Sequence, residues 1–301
     1  MDYCNLNTGD RIPAIGFGPG GFGYTPNVYR RKRAGVPVRV WNRFVARPCA
    51  ERRFVRQIAS ALTNGFRLID YSSAYGSGVH IGEAIRMSGV KRDDVFITAR
   101  VSNGAQREGR VREEFLATLR NYGVACVDLL MFHWPVPGYY MDTWHEMLKL
   151  RDEGFAKSVG VSNCHIHHTE KLLTVGVVPA VNQIEVHPLF TQKPLVRYCK
   201  DKGILVEAYT PIARFDDRLM RLPKLRAIAQ KYDKTPVQVV LRWHIQNGIV
   251  PVVRSLSTCH QRENIDVFDF KLADDEMNTI DSFNINSRLR YDPDNCDFSI
   301  L

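Results

Sequence analysis

Asp70 and Tyr75 stand five residues apart in Leu68-Ile69-Asp70-Tyr71-Ser72-Ser73-Ala74-Tyr75-Gly76. Three further apolar runs also end on polar or ionisable side chains: Phe96-Ile97-Thr98-Ala99-Arg100, Leu129-Leu130-Met131-Phe132-His133-Trp134-Pro135 and Val159-Gly160-Val161-Ser162-Asn163. Strands that delivered these side chains to one mouth would bring together an acid, a phenol, a cation and an imidazole. That set can donate a proton. A free phenol ionises near pH ~10, and a cation within hydrogen-bond reach brings that value toward working pH. A carboxylate beside the cation would hold it in place, and a neutral imidazole would offer a second hydrogen bond to an oxygen that gains negative charge. Taken singly, Asp70 reads as a turn cap, Tyr75 as a buried ring and His133 as a core histidine; together at strand ends they read as a site.

The elements that must position them alternate along the chain. Strand patterns cover 15–18, 66–70, 95–100, 127–133, 158–162, 180–184, 204–208 and 250–253, eight in all. Helical spacing lies between them, marked by Phe115, Leu116 and Leu119, by Trp144, Met147, Leu148 and Arg151, by Leu172 and Leu173, and by Val237, Val240, Leu241 and His244. Thr235-Pro236 is a helix start and Lys202-Gly203 a helix stop. Eight strands alternating with helices predict a parallel (β/α)8 TIM barrel in one domain, residues 1–301. An open sheet with a phosphate loop is the competing fold, and Gly18-x-Gly20-x-x-Gly23 invites it, but Pro19 and Pro26 interrupt the helix that loop requires. The glycine run therefore reads as a turn. Leu6 to Pro13 reads as an N-terminal hairpin turning at Thr8-Gly9-Asp10, and the polar tail beyond Phe283 as an extended loop.

With 45% apolar and 24% charged residues, the 301-residue chain is an ordinary globular protein with enough core to need no staples. No apolar run is long enough to span a membrane and the first residues are not a secretory signal, so a cytoplasmic location is expected. Seven scattered cysteines without a Cys-x-x-Cys pair predict reduced thiols. Cys164-His165-Ile166-His167-His168 suggests a metal, but it lacks separated ligand pairs and reads as a surface helix start; no metal is expected. Of the net charge of +9, the segment 24–53 alone carries +8, from nine basic residues against Glu51. The rest is close to neutral, which argues against nucleic acid as the partner.

In order, these runs resemble the aldo-keto reductase family over nearly the whole chain outside 24–53. The resemblance rests on Asp70-x4-Tyr75-Gly76, on Phe132-His133-Trp134-Pro135 and on Gly160-Val161-Ser162-Asn163. It continues through Val181-Asn182-Gln183-Ile184-Glu185-Val186-His187-Pro188, Val206-Glu207-Ala208-Tyr209-Thr210-Pro211, Val253-Arg254-Ser255 and Arg262-Glu263-Asn264. It implies reduction of an aldehyde or ketone by NADPH, with NADH as the alternative. Tyr75 would be the proton donor, Asp70 and Arg100 its supports, and His133 the group that orients the carbonyl. Ser162, Asn163 and Gln183 would hold the nicotinamide carboxamide, Tyr209 would stack under its ring, and Thr210 belongs to the same cofactor motif. Arg254, Ser255, Glu263 and Asn264 would face the adenosine end. Trp134 and Tyr24 would line the substrate wall, with a weak preference for a negatively charged carbonyl compound.

Three departures stand out. Arg100 replaces the family's lysine; it is longer, planar and permanently charged, and its fork is expected to pair bidentately with Asp70 rather than address Tyr75. Arg254 stands where lysine is usual and His260 where arginine is usual, leaving Arg254 and Arg262 to clamp a 2′-phosphate. The third is the basic insertion 24–53, which the barrel rule places on the carboxyl face. It reads first as a partly disordered loop, then as a lid attracting anions, and last as a nucleic-acid contact through Tyr29, Trp41 and Phe44. A nucleotide-binding barrel with little turnover, acting as a redox-sensing or scaffold partner through this loop, is the alternative function. No long apolar surface stripe demands a partner, so a monomer is expected.

Overall fold

A computed structural model describes residues 1–20, 47–72 and 80–298. Tyr24, Tyr75 and positions 24–46 of the basic segment lie outside the described residues. At the amino end β1 (Tyr3–Asn5) and β2 (Arg11–Pro13) form the expected antiparallel hairpin, with Gly9 at φ 91° in its turn.

Eight parallel strands follow: β3 (Gly16–Phe17), β4 (Leu68–Asp70), β5 (Phe96–Val101), β6 (Val127–Phe132), β7 (Ala156–Ser162), β8 (Val181–Glu185), β9 (Leu205–Tyr209) and β10 (Ile249–Val253). Each pairs with the next, and β10 returns to pair with β3, closing a (β/α)8 barrel. All eight overlap the strand runs read from the sequence. The predicted helix signals also hold. Thr235 accepts a hydrogen bond from Gln238 N–H at the start of helix Pro236–Gln246, and Gly203, at φ 71°, follows the end of helix Lys193–Asp201.

Strand alternation sorts the side chains into two populations. Outward-facing Ile69, Ile97, Ala99, Val101, Leu130 and Phe132 pack with helix residues Phe54, Ile58, Phe115, Leu119 and Trp144 in the main core. Inward-facing Leu68, Phe96, Leu129, Met131, Val181 and Val250 fill the lower barrel together with hairpin residues Leu6 and Ile12. The hairpin is therefore a plug. Small residues admit this filling: a Cβ on Gly160 would lie 2.8 Å from the Val181 carbonyl oxygen and 3.3 Å from Leu129 and Met131.

One boundary needs correction. The basic insertion read as 24–53 gives up its last residues to helix Arg47–Thr63. Pro48 suits a first turn, where no N–H partner is needed, and buried Phe54, Val55, Ile58 and Leu62 give the helix an apolar face against the barrel. Beyond helix Asp274–Asp281 the described tail has no regular element, as expected.

Gly160→Ala should destabilise the fold by about 1–3 kcal/mol, because a backbone carbonyl blocks the added methyl. Gly104→Ala is the contrast: that helical site meets only Ser102 Oγ, at 3.7 Å, so the change should be neutral or slightly stabilising. Denaturant melts of the two variants check both outcomes.

Candidate active site

The same alternation that fills the lower barrel with apolar groups brings ionisable ones to its carboxyl end. Two residues above Leu68 is Asp70; four above Phe96 is Arg100; two above Val181 is Gln183; two above Leu205 is Glu207. All four are buried, Arg100 to 2% exposure.

Arg100 Nη2 donates to both carboxylate oxygens of Asp70 and, at 2.6 Å, to Gln183 Oε1. The pairing is not the expected two-nitrogen fork, since one guanidinium nitrogen spans both oxygens. Gln183 Nε2 donates in turn to Glu207 Oε2 at 2.8 Å and to Asp70 Oδ2 at 3.4 Å. Arginine's extra reach thus draws Gln183 into the network, and the donors of its amide are already engaged. Two carboxylates share one guanidinium. Burial, reinforced by the nearby Asp70, pushes Glu207 up to about 8, which favours its neutral form at pH 7.

His133 follows β6 on the same inward side, with its N–H on the Val101 carbonyl at 3.0 Å. Burial, then the charges of Arg100 and Arg290, lowers its imidazole to about 3. It is neutral at every working pH. Asn163, at φ 60°, donates to the His133 carbonyl at 3.0 Å and accepts from Tyr209 Oη at 2.7 Å, linking β6, β7 and β9 across the mouth. Asn182 braces that turn by bonding both Cys164 N and Cys164 O. Ser162 is buried against Met131 Sδ at 3.9 Å.

After β9 the backbone enters the left-handed region at Thr210, Ala213, Arg214 and Phe215, a costly conformation for side chains of this kind. Thr210 Oγ1 is buried there without a hydrogen bond among the described residues. The adenosine-side candidates sit apart, after β10. Arg254 is exposed with its stem against Gly20, Ser255 Oγ closes a turn with Ser257, Glu263 accepts from Thr235 Oγ1 at 2.7 Å, and Asn264 is buried. Arg262 Nε donates to Asn64 Oδ1 at 3.1 Å. Trp134 is 4% exposed, with Phe298 of the tail edge-on at 6.4 Å.

The tail is fastened at the carboxyl end of the barrel. Glu185 accepts from the N–H groups of Leu289 and Arg290 at 2.6 and 2.9 Å and pairs with buried His187 at 3.0 Å. Burial pushes Glu185 up, but these partners outweigh it and hold the carboxyl below its ordinary value.

The Aldo/keto reductase family model matches residues 43–285. The chain belongs to the aldo/keto reductase family. It is 41% identical over 249 residues to the uncharacterized oxidoreductase YtbE of Bacillus subtilis, covering 81% of this chain and 88% of that one. It is 37% identical over 243 residues to the methylglyoxal reductase DkgA of Escherichia coli, covering 80% and 88%. The Bombyx mori aldo-keto reductase AKR2E4 in complex with NADP superposes with a TM-score of 0.80 at 29% identity, over 98% of this chain and 96% of that one.

Within this aldo/keto reductase, Glu207, Glu185 and Arg290 carry functions of position or charge that the motif reading did not assign. Glu207 had a signal: an ionisable residue two positions before Tyr209 lies on the same inward strand face. Arg290 had none, because only the folded tail brings its charge to His133.

Because the folded protein keeps the Glu207 proton to about pH 8 while the unfolded chain releases it near the ordinary 4.5, the folded state binds more protons between those values. Its stability therefore falls as pH rises through that window. Glu207→Gln keeps the hydrogen bond from Gln183 and removes the titration. Between pH 6 and pH 9 the parent should lose at least about 2 °C more in Tm than the variant, the shift that roughly 1 kcal/mol produces in a domain of this size or somewhat smaller. Parallel thermal melts across pH give the answer.

Proposed function

We propose that this reductase transfers a hydride from NADPH to an aldehyde or ketone, with Tyr75 as general acid. The observation that carries the reading is the buried Asp70–Arg100 pair beside a neutral His133 at the carboxyl end of the barrel. The named relatives are reductases, which favours turnover over a scaffold role.

The residues present fit a nicotinamide dinucleotide. Buried Thr210 Oγ1 awaits a polar partner, Gly20 allows close approach beside Arg254, and exposed Arg254 suits a 2′-phosphate. Arg254, Ser255, Glu263 and Asn264 would take the adenosine end, and Ser162, Asn163, Gln183, Tyr209 and Thr210 the nicotinamide end, where Gln183 would have to exchange one of its present partners for the cofactor. When bound, the cofactor supplies the hydride. Neutral His133 donates a hydrogen bond to the substrate carbonyl and so selects its orientation. Tyr75 Oη delivers the proton to that oxygen as negative charge develops there. Arg100 favours the phenolate side of the tyrosine equilibrium, while Asp70 anchors the guanidinium. Because Arg100 also binds Gln183, less of its charge is directed at the phenol than a lysine ammonium would direct.

Trp134 would contribute to the substrate wall; Tyr24, read from the sequence as a further part of it, lies outside the described residues. The positive potential of Arg290 near His133 supports anionic carbonyl compounds as substrates. The relatives named methylglyoxal reductase and glyoxal reductase make small oxoaldehydes the first compounds to assay. We further propose a cytoplasmic monomer. No helix among the described residues is long and apolar enough to cross a membrane, and the sequence shows no long apolar surface stripe that demands a partner.

NADPH should quench intrinsic fluorescence and be consumed on addition of a reactive aldehyde. Tyr75→Phe should lower kcat by about 10²–10⁴ with NADPH affinity nearly unchanged. Arg100→Lys should be several-fold faster, with its pH optimum moved down. A parent that binds NADPH but reduces no carbonyl compound, or a lysine variant no faster than the parent, would count against this mechanism.

A further inference from the structure

The tail brings to the histidine run the separated ligand that the run itself lacks. His165, His167 and His168 open helix Ile166–Leu173, directly after the turn that carries Asn163. Asp294, from the far end of the chain, lies among them. Its Oδ1 is 3.3 Å from His167 Nε2 and 3.7 Å from His168 Nε2, and its Oδ2 is 2.7 Å from His165 Nδ1.

We propose that His167 Nε2, His168 Nε2 and Asp294 Oδ1 form a binding site for a divalent transition ion of the zinc type. With bonds of about 2.0–2.1 Å, neighbouring ligand atoms around a tetrahedral zinc stand about 3.3 Å apart. The two separations from Asp294 Oδ1 are already near that edge, and one ligand atom from each of the three residues lies within 4.8 Å of the others. A fourth position stays open to water.

The surroundings favour capture. His168 has a side chain only 9% exposed, and its Nε2 makes no hydrogen bond among the described residues while pointing at Asp294. Arg288 Nη2 approaches His165 Nε2 at 3.4 Å, which places the His165 proton on Nδ1, where it donates to Asp294 Oδ2. That bond turns Oδ1 toward the other two rings, as outer hydrogen bonds orient metal-binding carboxylates.

One rearrangement is required. His168 Nδ1 accepts from His165 N–H at 3.2 Å, so in the free protein the ring proton sits on Nε2. Capture moves that proton to Nδ1 and gives up this bond in exchange for the metal contact. Imidazole and carboxylate together suit Zn²⁺, Co²⁺ or Ni²⁺ rather than Mg²⁺ or Ca²⁺. An ion held there would fasten the tail, four residues before Phe298 meets Trp134, to the helix that follows β7.

The test uses the full chain at pH 7.5, titrated with Co²⁺ and then with Zn²⁺ in competition. One equivalent of Co²⁺ should give tetrahedral d–d absorption without sulfur charge-transfer bands, and Zn²⁺ should bleach it. His167→Ala and Asp294→Asn should each weaken binding at least tenfold, whereas His145→Ala, Cys259→Ser and Cys296→Ser should leave it unchanged. Zn²⁺ should also raise the Tm of the parent and not that of Asp294→Asn. Should Asp294→Asn fail to fold by circular dichroism, His167→Ala decides alone. No stoichiometric Co²⁺ site, sulfur charge-transfer absorption, or affinity unaltered in His167→Ala would overturn the proposal.

Discussion

The burial of the Arg100 guanidinium inside the barrel is the constraint on which the site depends. A charge removed from water costs several kcal/mol unless a partner is held in good geometry, and here Asp70 is that partner on the adjoining strand. The parallel register of β4 with β5 pairs Asp70 with Thr98, which leaves Arg100 one inward step higher and within reach of the carboxylate. Once that cation is placed, the rest of the floor follows. Gln183 must supply its oxygen to Arg100, so its nitrogen turns to Glu207, and a second carboxylate so close to Asp70 keeps its proton.

Neutrality extends to His133 for the same reason. Its ring sits under burial and beside the cationic Arg100 and Arg290, both of which oppose protonation. A neutral imidazole is suited to be a hydrogen-bond donor of fixed character, as the proposed mechanism requires.

The two ends of the barrel are closed by different physics. At the amino end the hairpin contributes Leu6 and Ile12 to an apolar plug, with polar contacts from Asn7, Thr8 and Asp10 at its turn. At the carboxyl end the tail is held by polar contacts, with Glu185 receiving two backbone N–H groups, Leu189 receiving those of Ile285 and Ser287, and Arg288 lying over Phe190 at 4.7 Å. It is the same tail that carries Arg290 and Asp294.

The sequence by itself determined the barrel, because period-two strands alternating with period-3.6 helices leave few ways to bury both patterns. It also determined which strand ends carry Asp70, Arg100, His133, Ser162, Asn163 and Tyr209, since those residues follow directly from where each apolar run stops. Helix Arg47–Thr63 shows the limit of such reading: its arginines looked like loop, while only packing of Phe54, Ile58 and Leu62 revealed the helix. Tertiary structure alone decided that Arg100 would engage Gln183 as well as Asp70, that Glu207 would be protonated, and that Arg290 and Asp294 would return to the mouth. Those outcomes depend on distances and desolvation between residues far apart in the chain, which no local pattern encodes.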